Sequence, residues 1–237
     1  MTTNFILLLA ESADDPTKEP DVLRAMLDAP LYAHVPASDD SSHLRFIQII
    51  RKDNGKTVLP IFSERSKADE AASGDVRVIC LLGRDLLTIT LGATLMLDPN
   101  HRDCVFYPEE MEALLRHGIA GMALYRNTEN TTRVAVSSPR NVPAKMASAL
   151  RSMYTKLGSV QCAYLTIVRM EHDFHHPSLF IVAIARIEER ERVLRATVAA
   201  IQPHIAEPGL PIDVAVITPD EETSNCLTKG ARIYRKI

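Results

Sequence analysis

His172-Asp173-Phe174-His175-His176 is the one local run in this chain that gathers metal-ligating residue types. Imidazole and carboxylate suit zinc and its neighbours, but a closed site needs ligands converging on one centre, and adjacent histidines diverge without a distant fourth ligand. The run sits between two strand-like segments, just before Pro177, so it reads as a polar hairpin loop and no metal is expected. Asp98 is the one carboxylate whose placement is suggestive, because it ends a strand-like run beside Pro99 and strand-end turns often present functional side chains. Asp-Pro-Asn is also ordinary turn chemistry, and that is the reading adopted. A catalytic role would require Asp98, His101 and the histidine run to meet in one cleft.

Other candidates have plainer explanations. Glu188 with Arg192 and Glu191 with Arg195 are spaced i,i+4, so they read as self-paired charges on a solvated helix face, each pair contributing about 0.3 kcal/mol. The basic tail from Lys229 to Ile237 reads as an edge strand whose charges discourage unwanted pairing. Gly-x-Ser-x-Gly, a phosphate-cradling glycine loop and His-Glu-x-x-His do not occur, and nine glycines leave little material for backbone-approach loops. No catalytic, cofactor-binding or metal-binding residue is assigned, and no cofactor is expected.

Composition narrows the classes further. A length of 237 residues suits two domains, each able to bury a core without disulfides or metal. A net charge of −3 with 24% charged residues lacks the basic excess of a nucleic-acid binder, and the absence of tryptophan leaves few stacking platforms. Cys80, Cys104, Cys162 and Cys226 are far apart with no Cys-x-x-Cys pair, so they read as buried reduced thiols in a cytoplasmic protein. The apolar run Phe5 to Ala10 is too short to span a membrane and has no basic leader, so it is read as neither signal peptide nor anchor.

The elements that must position these residues are legible in order. Asn4 is expected to cap a first helix with Phe5, Leu8 and Leu9 inward, and a second helix runs from about Pro20 to Leu27. Leu31 to Val35 is extended, and Ser38 to Ser42 is a loop. Leu44 to Ile50 and Thr57 to Phe62 flank Lys52-Asp53-Asn54-Gly55, which predicts a type I′ hairpin. Pro60 predicts an edge position or a bulge for the second of those strands. Ser63 and Ser66 are candidate caps for a helix over Lys67 to Ala72, and Val76 to Leu82 reads as a buried strand closed by Gly83. Arg84 to Thr90 reads as a helix with Leu86 and Leu87 inward.

Thr94 to Gly118 is the most strongly specified stretch. A strand ends at Asp98-Pro99, Cys104 to Tyr107 forms another, and a helix opens at Pro108, carries acids in its first turn and closes at Gly118. Gly118 to Thr132 turns polar and unperiodic, so it reads as a connection between domains over 1–120 and 130–237. In the second half, Met146, Leu150, Met153 and Leu157 match the spacing of Leu194, Val198, Ile201 and Ile205, which predicts two amphipathic helices. Strands over 133–137, 160–168, 179–187 and 212–217 bracket them in the order β-α-β-β-α-β. That order predicts an α+β class with a ferredoxin-like C-terminal domain, both helices on one sheet face. A helix over 221–227 and a strand over 231–235 would extend it.

Several of these segments together resemble one family. Thr57-Val-Leu-Pro-Ile-Phe-Ser63, Gly83-Arg-Asp-Leu-Leu87, Leu95-Met-Leu-Asp-Pro99 and Tyr107-Pro-Glu-Glu-Met-Glu-Ala-Leu-Leu115 resemble the N-terminal domain of the SseB (enhanced serine sensitivity) family. Gly158-Ser-Val-Gln-Cys-Ala-Tyr-Leu165 and Pro211-Ile-Asp-Val214 resemble its C-terminal domain. The motif positions, read as structural, are Pro60, Phe62, Gly83, Asp98, Pro99, Pro108, Tyr164 and Asp213. The family pattern usually has asparagine where Asp98 stands. The resemblance implies a bacterial, cytoplasmic, non-enzymatic interaction or regulatory module, without nucleic-acid or membrane partners. It implies an unidentified protein partner and leaves homodimer formation open. The alternatives are a small-ligand or amino-acid sensor acting through the C-terminal domain, and an enzyme.

Overall fold

The computed structural model describes residues 2–38, 44–101, 104–118, 134–170, 173–219 and 228–236. Backbone contacts divide the chain into two units, Met1–Met122 and Ala123–Ile237. The class is α+β, with seven α-helices and two mixed sheets among the described residues.

In unit 1 the elements are α1 (Thr2–Glu11), α2 (Glu19–Leu27), β1 (Pro30–Pro36), β2 (Ile49–Ile50), β3 (Thr57–Phe62), α3 (Arg65–Ala71), β4 (Val76–Leu82), α4 (Gly83–Ile89), β5 (Leu95–Leu97), β6 (Cys104–Phe106) and α5 (Pro108–His117). The sheet runs β4-β1-β3-β5-β6, and β2 pairs with β3. Phe5 and Leu9 from α1, Leu23 and Met26 from α2, Leu86 and Leu87 from α4, and Met111 and Leu114 from α5 pack on Leu31, Ile61, Leu95 and Leu97. Four helices therefore cover one face. α3 lies on the other, where His34 Nε2–H donates to Ala68 O at 2.8 Å and the imidazole packs on Phe62.

Several local expectations are corrected. Pro60 does not mark an edge, because β3 lies between β1 and β5. Leu59 N–H bonds Thr94 O on the β5 side, so by alternation the donor that proline lacks faces the opposite edge. There the partner changes from β2, which pairs residues 57–58, to β1, which pairs residues 61–62. The missing donor falls at that seam and breaks no ladder. Val76–Leu82 is an edge strand, not a buried one, and Cys80 on it is exposed, while Cys104 and Cys162 are half-buried. Asn4 lies inside α1, and Glu64, not a serine, occupies the N-cap position of α3.

The hairpin loop also differs from a type I′ turn. Gly55 has φ 69°, but Asp98 is the only non-glycine with positive φ among the described residues, so Asn54 does not supply the second. A wider loop forms instead, closed by bonds between Arg51 and both Gly55 and Lys56. Of the strand expected over 44–50, only Ile49–Ile50 is regular. α5 forms as expected, opened by Pro108, with Glu110 accepting from Tyr107 N–H and Gly118 in the left-handed region.

Unit 2 contains β7 (Val134–Ser137), α6 (Ala144–Leu157), β8 (Val160–Met170), β9 (Asp173–Ala185), α7 (Arg190–Ile201), β10 (Ile212–Ile217) and β11 (Ala231–Arg235). The two helices pack side by side over a common sheet, with Met146, Leu150, Tyr154, Val193 and Ile201 meeting Ala163, Leu165, Ile181 and Ala183. Ile205 lies beyond α7 and is 51% exposed, so Val193, not Ile205, completes that stripe.

The strand order is β10-β9-β8-β11, with β7 also on β8. A ferredoxin-like sheet splits its parallel pair with an intervening strand. Here β9 and β10 are direct parallel neighbours, and β7 and β11 share one edge of β8, pairing residues 167–170 and 162–165. The expected ferredoxin-like order is not found. Element order alone does not reveal which strands become neighbours. Most of the expected connection over 118–132, the helix over 221–227, His172, Cys226 and most of the loop over 38–42 lie outside the described residues.

Candidate functional site

The C-terminal ends of the parallel neighbours β3 and β5 bring together the residue types that could do chemistry. Asp98 follows β5 with φ 49°, a left-handed conformation that aspartate tolerates better than most residues, and its side chain is fully buried. Ser63 follows β3. Its N–H donates to Asp98 Oδ1 at 2.9 Å and its hydroxyl to Oδ2 at 2.7 Å. One turn into α3, Lys67 Nζ lies 2.7 Å from Asp98 Oδ2, 2.8 Å from Ser63 Oγ and 3.1 Å from Glu64 Oε1.

This network is closed. An ammonium has three protons, and three acceptors surround Lys67. Burial alone would lower the Lys67 pKa, but the hydrogen bonds to Asp98 and Glu64 outweigh it and hold the ammonium above its ordinary range. The Ser63–Lys67 separation would suit a serine nucleophile with a lysine base, but that chemistry needs a neutral amine accepting the hydroxyl proton. Here Lys67 donates, the Ser63 proton points at Asp98, and Ser63 is 1% exposed. The arrangement ties α3 to two strand ends and does not activate a nucleophile.

His101 does not join it. His101, three residues past Asp98, is partly exposed, with Nε2 3.7 Å from Glu70 Oε2. His175 and His176 belong to β9 in unit 2, so the run is partly strand rather than all loop. Among the described residues, no group of three or more His, Cys, Asp or Glu could hold a metal. Glu191 and Arg195 approach to 4.0 Å on α7 as expected. Pro60 and Phe62 are buried in β3, Pro99 follows the Asp98 turn, and Pro108 opens α5. Tyr164 and Asp213 are half-buried on β8 and β10. At Gly83 an added Cβ would lie inside contact distance of Met26 O, so this glycine lets α4 start against the end of α2.

The sequence reading missed a second feature, the free edge of β4. Gly83 N–H bonds Ala29 O and Ala37 N–H bonds Asp75 O. In the continuous β1–β4 register, residues 77, 79 and 81 therefore turn their backbone groups toward β1, while Val78 and Cys80 turn theirs outward. This edge carries no proline, lysine or bulge, and among the described residues no segment pairs with it. The opposite edge, β6, is blunted by being three residues long. The signal was present in Val-Arg-Val-Ile-Cys-Leu-Leu, but a short apolar run does not say whether its strand is central or peripheral.

Fold and site together define a two-unit α+β protein with a buried ionic cluster joining α3 to the ends of β3 and β5. Residues 7–113 match the family described as SseB protein N-terminal domain, and residues 128–235 match SseB protein C-terminal domain. The chain belongs to the SseB family. It is 22% identical over 222 residues to Protein SseB of Escherichia coli (strain K12), covering 91% of this chain and 84% of that protein. Identity and coverage are the same for Protein SseB of Shigella flexneri. No solved structure matches significantly. Among the described residues, no helix is long and apolar enough to cross a membrane.

Proposed function

We propose that the chain is a non-enzymatic interaction module that works by strand addition at the free edge of β4. The observation that carries this reading is the outward backbone of Val78 and Cys80 on a seven-residue strand that has no proline, lysine or bulge and only one charge, Arg77. An extended segment laid along such an edge gains main-chain hydrogen bonds, and alternate side chains set its specificity. The closed Ser63–Lys67–Asp98 network supports the non-catalytic part, because its one hydroxyl is buried and its one amine is held charged.

The test is protein capture from a bacterial lysate, comparing the wild-type chain with Val78→Pro. The variant removes one outward donor from an edge strand and leaves the β1 ladder intact. Stoichiometric capture by wild type of a strand partner, whether another protein or a second, differently tagged copy of this chain added to the lysate, and its loss in a still-folded variant are expected. Equal capture by both would overturn the reading.

A second reading rests on a concavity of about 410 Å³ in unit 1, lined by Leu9, Val22, Leu23, Cys104 and Phe106 with Ser12 and Glu19. Its size and apolar lining suit a small ligand. On this reading a sensor would act through the N-terminal unit and not the C-terminal one. Thermal-shift scans with serine and with apolar amino acids at millimolar levels should raise the melting temperature if it holds, and flat curves would remove it.

A further inference from the structure

We infer that the occupant of the β4 edge is a second copy of this chain, paired antiparallel about a two-fold axis at Ile79. This inference rests on the strand-addition reading and names its partner. Full overlap of residues 76–82 with their symmetry mates sets the register, because residue i then faces residue 158 − i of the second copy. Val78 then faces Cys80 of the second copy as a hydrogen-bonded pair, and Cys80 faces Val78. Both residues turn their N–H and C=O groups outward, as that pairing requires.

The side chains are self-complementary in this register. Val76 faces Leu82, and Leu82 is 44% exposed in the single chain. Ile79 faces its own mate. Arg77, the one charge on the strand, faces Leu81 and not a second arginine. At both ends Asp75 of one copy comes within one residue of the position facing Arg84 of the other, so the flanking charges are opposite.

Closure favours a second copy over a foreign strand. A two-fold pairing consumes both β4 edges at once and, among the described residues, leaves the short β6 strands at the ends of the joined sheet. An added foreign strand would present a new open edge of its own. The charge pattern also gives a strongly acidic or basic strand little to pair with, since Val78, Cys80 and Leu82 carry no charge on the α3 side of the sheet.

Sedimentation equilibrium of the full chain tests the inference, with oxidative cross-linking by copper–phenanthroline to fix the register. The wild-type chain is expected to sediment at twice its 26.3 kDa mass, and Val78→Lys/Cys80→Lys to weaken association at least about tenfold while keeping its circular dichroism. Val78→Cys should form a disulfide with native Cys80 of the second copy, directly opposite at about 5.5 Å between Cα atoms. The wild-type chain should cross-link far less, because its two Cys80 residues are diagonal neighbours.

A monomeric wild type at about 100 μM, an association constant unmoved by the lysine pair, or a dimer in which Val78→Cys does not cross-link would each overturn the inference. A monomer whose capture of a different protein is lost on Val78→Pro would refute self-pairing and leave the interaction-module reading standing. A dimer sensitive to the lysine pair, with no other protein captured, supports self-pairing.

Discussion

Lys67 Nζ stands 2.7 Å from Asp98 Oδ2, joining the first turn of α3 to the end of β5 across a carboxylate that solvent does not reach. Ser63 completes the tie by donating to both carboxylate oxygens from the end of β3. Three elements separated in sequence thus meet on one charged group. Removing that group should cost far more than removing a surface pair, because the buried donors lose partners that water does not replace.

Asp98→Ala is therefore expected to destabilise unit 1 by about 3–5 kcal/mol in urea unfolding. Lys67→Met should cost less, about 1–2 kcal/mol, because Lys67 is 22% exposed and both Ser63 bonds to the carboxylate persist. Equal effects from the two substitutions would contradict this account of the cluster.

The same pair gives a pH dependence whose sign follows from the upward shift of Lys67. A raised folded-state pKa contributes stability that is complete below the ordinary lysine value of 10.5 and is lost as pH rises through the higher folded value. Denaturant midpoints of wild type and Lys67→Met should thus keep a constant separation through the neutral range and converge only in strong alkali.

Gly83→Ala should lower stability by about 1–3 kcal/mol, because the new Cβ meets the backbone of Met26 and one of two packed helices must shift. Alanine in place of Gly74, where a Cβ meets nothing within 4 Å but φ is +73°, tests backbone strain without a clash. The clash account requires a loss of far-separated α2–α4 packing at Gly83 only, read as faster amide exchange in both helices.

In unit 2, Glu207 caps α6 from a distance, accepting from Lys145 N–H at 3.1 Å and Met146 N–H at 2.9 Å. Desolvation pushes its pKa upward, but those two donors outweigh it and the net direction is below the ordinary 4.5. A depressed folded-state pKa contributes stability present above 4.5 and lost as pH falls through the folded value. Glu207→Ala should lower the denaturant midpoint at pH 7 and have progressively less effect below pH 4, measured by thermal or urea unfolding.

Tyr154 joins α6 to α7. Thr197 Oγ1 gives its proton to Val193 O, so Tyr154 OH donates to Thr197 at 3.0 Å. Tyr154→Phe should cost about 1 kcal/mol, since only the donor is lost. Burial pushes the tyrosine pKa upward, so ultraviolet titration should show this phenol ionising only together with unfolding.

Element identity was largely written in local pattern. Pro108, three first-turn-region acids and Gly118 specified α5, and the four-three-four spacing from Met146 to Leu157 specified α6, because caps and apolar stripes act over a few residues. The cluster was half legible: Asp98 drew notice as a strand-end carboxylate, but nothing local links it to Ser63 and Lys67, 35 and 31 residues earlier. Pro60 misled for the same reason. A proline argues against a central strand until it is known that the strand changes partner at that residue.

The sequence by itself determined where most helices and strands lie, the α+β class and the family, since each depends on short-range spacing of residue types. Tertiary structure alone decided which strands are neighbours, and with that the parallel β9–β10 pair, the peripheral place of Val76–Leu82 and the meeting of Ser63, Lys67 and Asp98. Strand pairing is a contact between distant segments, and one apolar run satisfies an inner or an outer place in a sheet equally well until the other strands have taken theirs.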